Sequence, residues 1–194
     1  MFPISIFSYP NKSIGIDVWK AGHTSTSQAI GPSSSPPIST ISIKSNTLST
    51  APVLFPFRDP VKRFVSAVGM LSKEKGGRGR YAGWGVNDFL DMLEKNTGVN
   101  RHFTRSSTAL RNACLMYENI YLYKFPDHFE NMLRDGGYEG KIPHENSGKR
   151  KPLLTESQRK RVEKIYENDI KIFESIKIPR QRFDALFGHL DYSN

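Results

Sequence analysis

Ala51-Pro52-Val53-Leu54-Phe55-Pro56-Phe57-Arg58-Asp59-Pro60-Val61-Lys62-Arg63-Phe64-Val65-Ser66-Ala67-Val68-Gly69-Met70-Leu71 is the stretch on which the reading of the fold turns. Ala51–Phe57 is almost continuously apolar, with a proline near each end. Such a run fits a strand buried on both faces, as in a parallel sheet. Arg58-Asp59-Pro60 follows at once. Asp59 can cap a helix and Pro60 suits its first turn. Phe64, Ala67, Val68 and Leu71 then fall at helical spacing, which predicts a helix over Pro60–Leu71 with one buried face.

The same unit recurs on either side. Ile4–Ser8 and Ser13–Trp19 read as strands around the turn signal Pro10-Asn11. A small polar loop from Lys20 to Ser27 opens a short helix that ends near Gly31-Pro32. Ile38–Lys44 reads as a strand after the Ser/Pro connector Pro32–Pro37. Lys73–Gly85 is a basic, Gly-rich loop, and Asn87 caps a helix carrying Phe89, Leu90 and Leu93. Asn119–Phe125 reads as a strand, followed by Pro126-Asp127 and a helix ending near Gly136-Gly137. Lys141–Pro152 is a basic loop. Thr155 and Gln158 form a capping-box pattern. It starts one helix running to about Phe173, with Val162, Ile165, Tyr166, Ile170 and Phe173 along one side. Strands alternating with helices predict an α/β fold, a single domain over residues 1–194 with a mainly parallel sheet flanked by helices. Ligands of such sheets sit at the carboxyl ends of the strands, where the loops at Lys20 and Arg58 begin.

Composition narrows the partners. The chain has 194 residues and a formal net charge of +9, from 28 Lys and Arg against 19 Asp and Glu. The excess favours a polyanion: a nucleic acid, an anionic nucleotide or an acidic surface. Cys114 is the one cysteine, so no internal disulfide exists; its apolar setting reads as a buried structural thiol. No Cys/His cluster has ligand spacing, so no metal is expected. No apolar run approaches the roughly 20 residues of a membrane span. Met1–Pro10 lacks a basic leader and a cleavage signal, and the expectation is a cytoplasmic protein with no membrane span.

Two constellations carry chemistry. The first is a strand, then Lys20-Ala21-Gly22-His23-Thr24-Ser25, then a helix. A helix N-terminus presents free N–H groups and partial positive charge, and small residues let a phosphate approach that backbone. Thr24 and Ser25 add hydroxyl donors, and Lys20 adds a full charge that can follow a leaving oxygen. The Walker pattern G-x-x-x-x-G-K-[ST] is absent. The second is Arg58 at a strand end with Ser66 on the second turn of the next helix. Arg63 and Ser66, three apart, share a face, and arginine with a hydroxyl suits phosphate.

Arg58-Asp59-Pro60-x-x-Arg63-Phe64-x-Ser66-x-x-Gly69 resembles the 3′-phosphate motif of sulfotransferases that use 3′-phosphoadenosine 5′-phosphosulfate (PAPS), especially the carbohydrate type. Lys20-x-Gly22-x-Thr24-Ser25 resembles their 5′-phosphosulfate loop, in the same order and separation. Arg101-His102-Phe103 is similar to a substrate-side segment, and Thr155-Glu156 with Tyr166-x-x-Asp169 to the C-terminal helix. The resemblance spans about residues 13–174. It departs at Trp19, where the family has proline, and at His23, where it has a small residue. It implies a fold related to the P-loop nucleotide kinases. It places Lys20 through Ser25 on the 5′-phosphosulfate, and Arg58 and Ser66 on the 3′-phosphate. PAPS is then the donor, adenosine 3′,5′-bisphosphate the product, and a glycan or small hydroxyl compound the acceptor.

A general base should take the acceptor proton. His102 is the first choice, with His23, His144 and Glu118 as alternatives. Lys149-Arg150-Lys151 either closes over the nucleotide or is a solvated basic run. Two other readings stand beside the sulfotransferase. A nucleotide-dependent phosphotransferase would share the fold, but the Walker pattern and a magnesium-binding Asp after a strand are missing. A nucleic-acid-binding protein would need basic and aromatic residues interleaved on one face, and here the basic residues scatter over several loops.

Overall fold

The computed structural model describes residues 5–17, 23–30, 49–72, 80–96, 100–142 and 151–187. Along the chain come β1 (Ser5–Ser8), β2 (Ile14–Asp17), α1 (His23–Ile30), β3 (Val53–Arg58), α2 (Pro60–Leu71) and α3 (Val86–Glu94). A 3-10 turn (Arg101–Phe103), α4 (Ser106–Cys114), β4 (Ile120–Phe125) and α5 (Phe129–Asp135) follow. The chain continues with α6 (Glu156–Ile165), α7 (Glu167–Ser175), β5 (Gln181–Arg182) and α8 (Phe183–Phe187). The strands form one sheet in the order β1-β2-β3-β4-β5. The two central pairings, β2 with β3 and β3 with β4, are parallel, and the outer two are antiparallel. The architecture is α/β, with the sheet parallel in its middle and flanked by helices.

Every residue of β3 is buried, because both sheet faces are covered. Val53, Phe55 and Phe57 pack with Ile120 and Leu122 beneath Ala109, Leu110 and Ala113 of α4 and Phe183 of α8. Leu54 faces the other way, with Tyr123 and Phe125, toward Phe129, Met132 and Leu133 of α5. A third cluster lies beside the sheet, where Phe64, Val68 and Leu71 of α2 meet Phe89 and Leu90 of α3 and Val162 of α6.

Helix α2 occupies the expected span, with Asp59 accepting from the Lys62 N–H at 3.0 Å and Pro60 in the first turn. The Thr155–Gln158 capping box also forms. Other expectations need correction. The helix that starts there is two helices: the backbone turns at Tyr166 (φ −109°, ψ 25°), and the ring is buried under α2 instead of continuing a stripe. Asn87 does not cap α3. Gly85 does, its N–H held by the Asp88 carboxylate at 2.7 Å, while Asn87 Oδ1 accepts from Gln158. Cys114 is half-buried against the sheet cluster. The proposed strand Ile38–Lys44 lies outside the described residues.

The β1–β2 hairpin is fastened to the end of α5. Asn11 donates to the Asp135 carbonyl at 2.6 Å, and the Asn11 N–H to the Gly136 carbonyl at 3.2 Å. Tyr9 lies flat against Gly136, where an added Cβ would fall inside its ring. Gly137 ends the helix in the left-handed conformation (φ +83°), as a C-terminal cap requires. Gly136→Ala should therefore cost about 1–3 kcal/mol by overpacking, read as a lowered urea midpoint with unchanged slope. A midpoint equal to the parent's would show that Tyr9 is free to move aside.

Candidate functional site

Parallel pairing brings the carboxyl ends of β2, β3 and β4 to one edge of the sheet. Pro56 shapes that edge. The Ile14 N–H bonds the Pro52 carbonyl on the β2 side, and the Val53 N–H bonds the Asn119 carbonyl on the β4 side. Backbone groups alternate sides along a strand, so residue 56 presents toward β2, and as proline it has no N–H to give. Pairing of β2 with β3 accordingly runs through Ile14↔Val53 and Gly15↔Leu54 and goes no further among the described residues. Pairing of β3 with β4 continues to Arg58↔Phe125. The backbone pairing of β2 with β3 thus stops short of its carboxyl edge, on the side of the sheet where ligands of open α/β folds bind.

Arg58 closes β3 on this edge. It is 9% exposed, and its guanidinium carbon stands 5.6 Å from the centre of the Phe125 ring. Stacking on a ring orients a guanidinium. Ser66 is half-buried, two turns into the helix that begins two residues after Arg58. Helix α1 begins at His23, so the segment carrying Lys20 joins the carboxyl end of β2 to a helix start. Lys20, Ala21 and Gly22 lie outside the described residues, as do His144, Lys149 and Arg150. His23, Thr24 and Ser25 form the first turn of α1. Lys151 is exposed.

Arg63 is turned into the interior. It is the largest fully buried side chain among the described residues, 1% exposed. It donates to the Thr104 carbonyl and, at 3.1 Å, to Asp169, which is 0% exposed. Its guanidinium carbon sits 5.3 Å from the centre of the Tyr166 ring. Asp169 also accepts the Ser106 N–H at 2.7 Å and the Ser107 N–H at 2.9 Å, which caps α4 from a distant helix. Burial raises the Tyr166 hydroxyl to about 12, so it stays protonated and donates to the Phe103 carbonyl at 2.9 Å. Arg63, Asp169 and Tyr166 together clamp the segment from Phe103 to Ser107 onto α2. His102, 7% exposed, is the residue just before that clamp, with its N–H on Asn100 Oδ1 at 3.0 Å.

Glu118 is on the wrong edge. It precedes β4, its N–H bonds the Ser49 carbonyl, and its side chain is exposed. The six-residue strand between it and the Phe125 end is about 20 Å long at the usual rise. His128, which the sequence reading passed over, stands on the right edge. It follows β4 and its Nδ1 accepts the Lys124 N–H at 3.3 Å. Burial lowers its pKa, so the ring is neutral and its Nε2 carries the proton. A strand followed within a few residues by Pro-Asp-His was the available signal.

No protein-family model, no curated protein and no solved structure matches the chain. Among the described residues no helix is long and apolar enough to cross a membrane, and no group of three or more His, Cys, Asp or Glu is placed to hold a metal.

Removing one partner of a buried ion pair strands the other charge, at about 3–5 kcal/mol, whereas replacing both by apolar residues costs far less. Asp169→Ala should lose stability in that range by urea unfolding. The double variant Arg63→Met/Asp169→Leu should recover only the part due to the stranded charge, because the Ser106 and Ser107 N–H groups still lose their acceptor. A loss under about 1 kcal/mol for Asp169→Ala would mean that the pair does not hold α2 to the rest.

Proposed function

We propose that the chain is a sulfotransferase that moves the sulfuryl group of PAPS to a hydroxyl, or an amine, of an acceptor, most simply a carbohydrate. The observation that carries this reading is the parallel pairing of β2 with β3, which stops short of its carboxyl edge. β2 and β3 end side by side on that edge, and the sequence that follows them carries Lys20 in one case and leads from Arg58 into α2 in the other. A donor with phosphates at both its 3′ and 5′ positions needs two such anion sites, and the motif resemblance matches them in order.

In the proposed reaction the acceptor oxygen attacks sulfur in line, and the bond from sulfur to the bridging oxygen of the 5′-phosphate breaks. Adenosine 3′,5′-bisphosphate leaves with that electron pair, and the acceptor proton passes to a base, His102 in this reading. Arg58 and Ser66 hold the 3′-phosphate. The Lys20 ammonium meets the charge that grows on the bridging oxygen. The fold assignment that goes with this is the P-loop-like sulfotransferase fold. A phosphotransferase is disfavoured because only one of the two loops would then be used.

Lys20→Ala and Arg58→Ala should separate two roles. An interaction that strengthens in the transition state lowers the barrier more than it tightens binding. Lys20→Ala should lower turnover with PAPS far more than it lowers affinity for adenosine 3′,5′-bisphosphate. Arg58→Ala should lower that affinity by roughly 1.5–3 kcal/mol, as for a hydrogen bond to a charged group. Equal losses of affinity and turnover at Lys20, or unchanged affinity at Arg58 in a folded variant, would reject the mechanism.

A further inference from the structure

Among the described residues three large apolar side chains stand out in solvent: Leu115 at 61%, Ile178 at 58% and Leu153 at 95%. A scattered exposed apolar residue is ordinary, but Leu153 differs in how it is held. Its neighbour Leu154 packs into the cluster of α2, α3 and α6, and Thr155 is tied into the α6 capping box. The chain on its carboxyl side is therefore fixed, and Pro152 restricts the backbone on the other. Leu153 is thus held outward on a fixed base.

Contacts between α3 and α6 place this tip. Gln158 donates to Asn87 at 3.0 Å, and Arg161 reaches Asp91 at 2.5 Å and Glu94 at 2.7 Å. The two helices therefore run in the same direction, and their first turns lie at one end of the pair. Trp84 and Val86, at the start of α3, join the same cluster as Leu154. The half-buried Trp84 ring packs on Tyr81 and Phe89, with centroids 5.1 and 5.3 Å away. Arg80, exposed, stands 5.7 Å from the centre of the Tyr81 ring. Lys151, also exposed, precedes Leu153 by two residues and ends the run Lys149-Arg150-Lys151. The carboxylates at this end are Asp88, which holds the Gly85 N–H at 2.7 Å, and Glu156, 3.8 Å from Lys160. Arg80, Lys151 and Lys160 outnumber them. Asp91 and Glu94 lie further along α3 and share Arg161.

An anionic lipid surface answers all of these features at once. Leucine inserts among acyl chains, an indole sits at the headgroup level, and Lys and Arg meet lipid phosphates. A folded protein partner would need about 800 Å² of matching surface, and one projecting side chain does not supply it. A nucleic acid would use the cations but leave Leu153 with no counterpart, and the Trp84 ring is already packed on two others. We propose that this end of the molecule docks on an anionic membrane, with Leu153 inserted and Arg80 and Lys151 on the headgroups. Attachment of this kind lies on the bilayer and needs no helix that crosses it.

The test is sedimentation of the full chain with vesicles of phosphatidylcholine, alone or with about 30% phosphatidylglycerol. The chain should sediment with the anionic vesicles and not with the neutral ones. Leu153→Ser should weaken that binding at least roughly tenfold, the worth of one buried leucine. Lys151→Gln should weaken it about fivefold, and Arg80→Gln by the same factor. All three side chains are exposed, so the urea midpoints should stay at the parent's. Lys141→Gln/Lys177→Gln removes two exposed cations that follow α5 and α7, and should keep most of the binding. An equal loss in that control would assign the binding to net charge and overturn the proposal. So would equal binding to neutral vesicles, no binding to either kind, or full binding by Leu153→Ser. Single-stranded RNA that binds more tightly than the vesicles, and loses affinity in Lys151→Gln and Arg80→Gln but not in Leu153→Ser, would reassign the surface to nucleic acid.

Discussion

The buried pair of Arg63 and Asp169 is the constraint on which the arrangement depends. Ion pairs with no solvent access repay their desolvation only when hydrogen bonds satisfy the remaining groups. Here Asp169 collects two backbone N–H groups from α4 as well as the guanidinium, and Arg63 reaches a carbonyl as well as the carboxylate. One pair therefore joins three pieces of chain that are distant in sequence: α2, the 103–107 segment and α7. The same pieces also meet in the apolar cluster of Phe64, Phe103 and Tyr166, where the Tyr166 hydroxyl holds the Phe103 carbonyl. Charge specifies the register here, and the aromatic contacts of Phe64 and Phe89 with Phe103, at 5.7 and 5.3 Å, fill the space around it.

The consequence for the site is indirect but strong. Arg58 and Ser66 ride on the same strand–helix unit as Arg63. Whatever fixes α2 fixes them, and the same contacts fix the chain beside His102. Arg63 stands inside the phosphate-like motif yet contacts no solvent, so its part is to position the residues around it. That distinction also separates the two arginines of the motif. Arg58 ends a strand on an aromatic ring at the carboxyl edge of the sheet, while Arg63, five residues on, points into the core.

The central strand and its helix were legible because local signals agreed: a run of apolar residues, a capping aspartate, a first-turn proline and a helical apolar stripe, from Val53 to Leu71. The edge on which Arg58 lies followed from the strand–helix alternation. Other features were invisible for physical reasons. Helix α4 has a weak apolar stripe, and its cap is supplied by Asp169 on α7, which no local pattern can announce. The break at Tyr166 lies in a sequence that reads as helix throughout; burial of the ring and the hydroxyl's hold on the Phe103 carbonyl accompany the turn. Strand β5 has two residues, too few for any period to show. Arg63 misled because spacing alone gives a shared face and says nothing of what that face meets. Glu118 misled because its edge of the sheet depends on strand direction, and Pro56 was noted only as a strand boundary although its missing N–H falls toward β2.

What remains is whether the edge holds two separate phosphates. Calorimetric titration of adenosine 3′,5′-bisphosphate, AMP and ATP into the same preparation addresses this directly. The account predicts that the bisphosphate binds at least roughly tenfold more tightly than either of the others, because only it would fill both of the proposed anion sites, at Arg58 and at the start of α1. ATP binding as tightly as the bisphosphate, or more so, would contradict it.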